Sequence, residues 1–303
     1  MSLAAQHARL VVVDGGARGG WQLLPGVPAD LEVHAFEPDP AACAAISGSG
    51  RGMTLTAWPW ALDARPGRRL LHIARHPSMS SLLLPDMEAY ARHFGRMVDY
   101  PRWARAIDTV STCEVETVSL DAWAAQAGVE RLHLLKLDTQ GTELDILRGA
   151  RGLLEAGRVG VVYCEVSFLP VYRGQALFPE VERFMREAGF SLVDCHFHPQ
   201  PRMGHALGAR YAEPPRWSAV GDAVFACRPE RWAPAEREAS VVAGAMVLAF
   251  LGQPRTAAAW LSRHAGWSAG DVAATIAAWN AHAHRHASLP RRAARWLRRR
   301  WPS

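Results

Sequence analysis

The 303-residue chain is 49% hydrophobic with a formal net charge of +5, enough apolar material for one large α/β core and somewhat more than one core uses. Six arginines and no acids occupy residues 291–303, so the remainder sums to −1 and a basic body that binds nucleic acid is excluded. No apolar run approaches the ~20 residues of a spanning helix, and five scattered cysteines (Cys43, Cys113, Cys164, Cys195, Cys227) without a C-x-x-C pair read as reduced core thiols of a cytoplasmic protein.

In chain order, Leu10–Val13 reads as a buried strand that ends on Asp14 and turns through Gly15, Gly16, Ala17, Arg18, Gly19 and Gly20 into a helix. Doubly wound sheets cradle nucleotide-like ligands in this way. The strand lies so near Met1 that no signal peptide is expected ahead of it. The spacing is Asp14-x-Gly16-x-x-x-Gly20, although Gly15-x-Ala17-x-x-Gly20 is a degenerate match to the dinucleotide fingerprint. A carboxylate at the strand end repels a pyrophosphate but attracts the ammonium and sulfonium of S-adenosylmethionine, while the glycines let the backbone close on its methionine portion. Asp14, Gly15, Gly16, Ala17 and Gly20 are therefore candidate cofactor contacts, against the plainer alternative of a turn that only joins strand to helix. The second strand, Leu31–Glu37, supports the cofactor reading. It ends in an acid about 20 residues past the glycines, ahead of Pro38, where a ribose diol is hydrogen-bonded.

The third strand is Met53–Trp58, with Ala61 just beyond it as a further cofactor contact. An irregular insertion follows from 61 to 117, with strands at Arg69–Ala74 and Cys113–Ser119. Strand four is Leu132–Asp138. The helix after it, Gly141–Ala156, places Leu144, Leu147, Ala150 and Leu154 on one face and Glu143, Arg148, Arg151 and Glu155 outside. Strand five, Val159–Val166, is almost wholly apolar and therefore central. Helix Pro179–Ala188, strand Phe190–His196, a Pro-rich loop and strand Ser218–Cys227 close a mixed sheet with an antiparallel hairpin at one edge. Residues 1–228 thus form an α/β domain, and 229–303 a helical extension. Its apolar helices are Arg237–Leu251 and Thr256–His264, and Ser268-x-x-Asp271 caps a third. The end, Arg291–Trp301, is a basic amphipathic helix with Ala293, Leu297 and Trp301 on one face. It reads either as a solvated or docked terminal helix or as a contact for an anionic membrane or acidic partner.

Several motifs fall together: Asp14-x-Gly16-x-x-x-Gly20, Ala35-Phe36-Glu37-Pro38, Ser80-Ser81-Leu82, the block Lys136–Ala150, and Glu165 with Pro170-x-Tyr172. Over residues 10 to 228 the chain closely resembles the FkbM-type family of S-adenosylmethionine-dependent O-methyltransferases. The resemblance implies a class I methyltransferase fold of Rossmann-like kind, with helices on both faces of the sheet. It also implies S-adenosylmethionine as methyl donor, S-adenosylhomocysteine as product, and a hydroxyl of a sugar, glycan or natural-product small molecule as acceptor. Two departures are visible. The family usually has Asn where Arg18 stands and an aliphatic residue at Gly19, and many members carry a segment before the first strand, whose covering role here falls to the insertion or the C-terminal region.

Methyl transfer to a neutral hydroxyl needs the oxygen in line with the sulfonium methyl, water excluded, and a group to take the proton. Ligands of such sheets lie outside the carboxyl ends of the strands, where Asp14, Glu37, Asp138 and Glu165 all fall. Asp138 is the first choice for proton acceptor or acceptor-orienting group, Glu165 the second and His76 the third. The plainer roles are a helix cap for Asp138 and a surface loop position for His76. Ser80, Ser81 and Gln140 are candidate substrate contacts. A divalent metal on Asp138 and Glu165 would lower the hydroxyl's pKa, but no third ligand can be picked from spacing. Asp194, His196 and His198 alternate onto one face of a late strand and read as surface residues. His282, His284 and His286 cannot share a helix face.

Two other readings compete. An RNA methyltransferase could use the arginine tail as an anchor, but a 2′-O-methylating tetrad needs two lysines and Lys136 is the sole one. A dinucleotide oxidoreductase or binding module could occupy a similar sheet. NAD binding in place of S-adenosylhomocysteine would reveal it.

Overall fold

The computed structural model describes residues 9–21, 23–24, 26–46, 49–50, 53–94, 100–197 and 219–286. The apolar opening run forms β1 (Arg9–Gly15), and Asp30–Phe36 forms β2 in parallel register beside it, Asp14 opposite Ala35. Helix α1 (Pro40–Ala45) starts at once, because Asp39 caps it by accepting from the Ala41 and Ala42 N–H groups and Pro40 supplies a fixed first turn. A two-residue β3 (Ser49–Gly50) pairs antiparallel with β4 (Met53–Trp58), which lies parallel to β2.

The insertion builds a small sheet of its own. β5 (Ala61–Leu62) and β6 (Gly67–Ala74) flank β7 (Thr109–Val118) in the order β5-β7-β6, and between β6 and β7 run α2 (Met87–Phe94) and α3 (Tyr100–Ile107). The chain then returns to the main sheet through α4 (Leu120–Ala127). Ser119 caps its start and Gly128, at φ 68°, ends it.

β8 (Leu132–Leu137) lies between β1 and β9 (Val159–Ser167), parallel to both. The single helix expected over 141–156 is two, α5 (Glu143–Arg148) and α6 (Arg151–Glu155). The break falls at Gly149, where an added Cβ would stand 2.3 Å from the Asp63 carbonyl oxygen. Asp121 then caps α6 across space, its carboxylate accepting from the Gly152 and Leu153 N–H groups. Glu143, expected on the outer face, is buried at 6% exposure. Its carboxylate is turned inward by donors from the preceding loop.

After α7 (Phe178–Glu187), β10 (Phe190–Phe197) forms the edge, and β11 (Val220–Cys227) inserts antiparallel between it and β9. The complete order is β10-β11-β9-β8-β1-β2-β4-β3. Five parallel strands ending in an antiparallel pair, with the last strand inside the edge, is the class I methyltransferase arrangement. Successive side chains of a strand face opposite ways, so the unbroken burial of Val159–Val162 means that helices cover both faces of β9.

Three helices end the described chain: α8 (Pro234–Phe250), α9 (Pro254–His264) and α10 (Ala269–His286). Sequence sets residues 229–303 apart, yet α8 packs against β8 and β9, and Val241, Ala245, Met246, Val247 and Leu248 share one core with the sheet. Gly244 lets α9 approach, since a Cβ there would meet the Trp260 ring at 2.7 Å. The Pro-rich loop and the Arg291–Trp301 segment lie outside the described residues.

Candidate active site

Turns at the carboxyl ends of β1, β2 and β8 converge on one cleft, and the β1 turn can take its shape only with glycine. Gly16 has φ 79°, and a Cβ on it would stand 2.0 Å from the Asp138 carbonyl oxygen. The Gly16 and Ala17 N–H groups both donate to the Phe36 carbonyl, which ties this turn to the end of β2.

Asp14 is 2% exposed, and its Oδ1 lies 2.8 Å from the Lys136 ammonium on the neighbouring strand. The same ammonium reaches the Gly16 carbonyl at 3.3 Å and sits 4.0 Å from Asp138 Oδ2. Burial pushes the Asp14 carboxyl up, with Lys136 pulling it back. For Lys136, burial lowers the pKa, but Asp14, Asp138 and Glu165 together hold it above its ordinary value. A charged Lys136 therefore sits among three acids.

At the end of β2, Glu37 is 4% exposed and accepts from the Asp39 N–H at 3.0 Å. Arg18 bridges it at 3.5 Å to Asp39 at 2.7 Å. Burial raises the Glu37 pKa, whereas the hydrogen bond from Arg18 lowers that of Asp39.

Beyond β8, Asp138 projects into the cleft with its side chain 46% exposed. Gln140 Nε2 donates to Asp138 Oδ1 at 3.0 Å and to Glu165 Oε2 at 3.2 Å. The single hydrogen of the Tyr172 hydroxyl is shared between Gln140 Oε1 (3.1 Å) and the Met79 carbonyl (3.0 Å). Burial raises Glu165 well above the usual carboxylate range, and the charges of Asp138, Glu143 and Asp222 add to the effect. Asp222 is its cross-strand partner on β11.

The cleft contains about 650 Å³ of empty space, most of it in its open mouth. Of the residues singled out from sequence, Gly16, Glu37, Pro38, Ala61, Ser80, Ser81, Asp138 and Gln140 line it together. Asp14, Gly15, Ala17, Gly20, Glu165 and His76 are not in its wall. Asp14 faces Lys136 rather than the cleft. Gly15 lies close against Leu137 and Leu62, and Ala17 is 1% exposed. Gly20, at φ 81°, closes the β1 turn by donating to the Ala17 carbonyl. Glu165 meets the cleft through Gln140. His76 Nδ1 is 2.7 Å from Ser78 Oγ, and it is Pro77 and Ser78 beside it that reach the wall.

Lys136, Arg18, Trp60 and Tyr172 are among the contributors not assigned a role from sequence. The signal for Lys136 was available, because a residue two before Asp138 shares its face and stands opposite Asp14 in the β1–β8 register. Nothing local marks Trp60 or Tyr172 as near neighbours of the strand tips. Asp194 and His196 do share a face, 2.6 Å apart, and Gln253 also donates to Asp194. His198 lies outside the described residues. Among the described residues no group of three or more His, Cys, Asp or Glu is arranged to hold a metal, and no helix is long and apolar enough to cross a membrane. All five cysteines are free.

A family model described as the methyltransferase FkbM domain matches residues 16–192. The 2-O-methyltransferase NoeI of Sinorhizobium fredii (strain NBRC 101917 / NGR234) is 31% identical over 174 residues. That alignment covers 54% of this chain and 66% of NoeI, just under two thirds of its length. Among solved structures, methyltransferase FkbM from Methylobacillus flagellatus KT is 13% identical, with a TM-score of 0.36 over 72% of this chain and 44% of that one. A TehB-like SAM-dependent methyltransferase from Corynebacterium glutamicum is 10% identical, with a TM-score of 0.31 over 72% of this chain and 80% of that one.

Proposed function

The chain belongs to the FkbM methyltransferase family, and on that premise we propose that it transfers a methyl group from S-adenosylmethionine to a hydroxyl of a sugar, glycan or natural-product small molecule. The observation that carries this reading is the single cleft in which the β1 turn, the acid ending β2 and the Asp138–Gln140–Glu165 group meet.

The residues present fit the donor. The glycine turn at Gly16 offers close backbone approach to its methionine end, and Glu37 suits a ribose diol. Trp60, Leu62 and Leu71 supply an apolar wall for a flat base. The expected direct grip of Asp14 on the donor's cation is replaced in this reading by a supporting role. Asp14 fixes Lys136, which in turn fixes the β1 turn through the Gly16 carbonyl.

When bound, S-adenosylmethionine supplies an electrophilic methyl on a sulfonium. The acceptor oxygen forms its bond to that carbon as the carbon–sulfur bond breaks. The bonding electrons leave with sulfur as S-adenosylhomocysteine, and the hydroxyl proton goes to Asp138. Asp138 suits the task because, of the two acids in the cleft wall, it is the exposed one, and its Oδ2 makes no hydrogen bond to Gln140. Glu165, whose pKa burial raises, favours the neutral acid and would orient rather than accept. Inserted residues Pro77, Ser78, Ser80 and Ser81 form the wall facing the strand tips and would help exclude water. The name of the Sinorhizobium relative supports oxygen as the atom methylated.

Calorimetry with S-adenosylhomocysteine and with NAD tests the donor, and labelled methyl transfer to a panel of methyl glycosides tests the acceptor. We expect S-adenosylhomocysteine binding, no NAD binding, and label on a glycoside oxygen. NAD binding without S-adenosylhomocysteine binding would overturn the reading.

A further inference from the structure

Gln140 is one of two non-glycine residues with positive φ among the described residues, at 60°, a conformation that side chains other than Gly, Asn and Asp seldom adopt. The loop leaves it no other. On either side, Glu143 Oε1 accepts from the Thr139 N–H (2.8 Å), the Thr139 hydroxyl (3.0 Å) and the Gly141 N–H (3.2 Å). The Gln140 carbonyl accepts from the Ser81 hydroxyl at 2.7 Å. The backbone is therefore held from α5 and from the insertion at once.

The side chain spends its hydrogen-bonding groups in one pattern. Both hydrogens of Nε2 go to acids, one on Asp138 and one on Glu165, and Oε1 accepts from Tyr172. The amide orientation follows from the acids, because a flipped group would set Oε1 against an Asp138 carboxylate oxygen and leave no donor between the two acids. Burial keeps the Tyr172 phenol neutral and able to donate. A glutamate at this position could fill the same space but would bring a third carboxylate and no N–H.

We propose that Gln140 is the positioning residue of the transfer: it binds Asp138 and Glu165 into one hydrogen-bonded pair, leaves Asp138 Oδ2 open to the acceptor, and couples the pair to the inserted wall through Tyr172 and Ser81. Its effect on turnover rests on the methyl-transfer reading above. Its effect on the acids does not.

The test uses the full chain with S-adenosylhomocysteine bound, comparing wild type with Gln140→Met, Gln140→Glu and the milder Tyr172→Phe. Carboxyl-carbon NMR follows the titration of Asp138 and Glu165. Removing two N–H donors disfavours the ionised forms, so in Gln140→Met the pair's titration moves to higher pH by about half a unit or more. In Gln140→Glu the added charge moves it further the same way. On any methyl glycoside that wild type methylates, kcat falls about 10- to 100-fold, its acidic limb moves with the NMR titration, and S-adenosylhomocysteine affinity stays within about twofold. Tyr172→Phe shows a smaller shift of the same sign. A merely structural residue would leave the pH profile in place. Unchanged carboxyl titrations in the folded variants overturn the proposal, and so does a kcat within twofold of wild type. If wild type methylates no glycoside, the acceptor reading falls while the NMR comparison still decides this one. If Gln140→Met does not fold, Gln140→Glu and Tyr172→Phe decide it.

Discussion

Charge on the cleft is arranged residue by residue, and two substitutions separate its parts. Asp138→Asn removes the proposed proton acceptor while leaving its shape, so kcat should fall about 100-fold or more with S-adenosylhomocysteine affinity unchanged. Because the Asp138 charge helps raise Glu165, the Glu165 titration should move to lower pH in the same variant. A near-normal kcat would take the base assignment away from Asp138. Lys136→Met asks a different question. With both side chains buried, Lys136 15% and Asp14 4% exposed by side chain alone, removing the cation strands a buried carboxylate at a cost of about 3–5 kcal/mol. The double variant Asp14→Asn/Lys136→Met should recover much of that in denaturant unfolding, and equal losses in both would show that the pair is not the cause.

Among the elements, the β1 turn is the most demanding. Gly16→Ala would place a Cβ 2.0 Å from the Asp138 carbonyl at φ 79°, so the turn must move. Thermal unfolding should drop by several degrees and S-adenosylhomocysteine binding should weaken by tenfold or more. An unaffected affinity would mean that this turn does not contact the donor. The turn and the strands were legible because their determinants are local: apolar runs ended by an acid, and glycines at fixed spacing. What was not legible depends on contacts far apart in sequence. The split between α5 and α6 is set by the Asp63 backbone, some 86 residues before Gly149. Glu143 reads as an outer-face acid by helical period, yet the Thr139 and Gly141 N–H groups turn it inward. The insertion's three-stranded sheet and the roles of Trp60 and Tyr172 likewise come from tertiary placement. So does the packing of α8 on β8 and β9.

For the molecule as a whole, acid sensitivity has an identifiable contributor outside the cleft. His133 on β8 is held neutral by burial, its pKa pushed down to about 4, and its Nδ1 accepts from the Val11 N–H on β1. The unfolded chain binds this proton near pH 6.5 and the folded chain refuses it until about pH 4. The stability it contributes is thus complete above pH 6.5 and is lost as pH falls to about 4, roughly 3 kcal/mol in all. The buried acids Asp14, Glu37, Glu143 and Glu165, all raised, act in the opposite sense and lose stability as pH rises, so only a difference isolates the histidine. His133→Gln keeps an acceptor for Val11 without a titration. Between pH 7 and pH 4 its denaturant stability should gain on wild type by that amount, whereas parallel curves would contradict the assignment.

The most direct test of the account is a crystal structure of the full chain with S-adenosylhomocysteine. It should place the ribose hydroxyls on Glu37, the amino-acid end against the Gly16 turn and the sulfur facing Asp138. A ligand seated anywhere else, or strand tips that stay empty at saturating ligand, would contradict it.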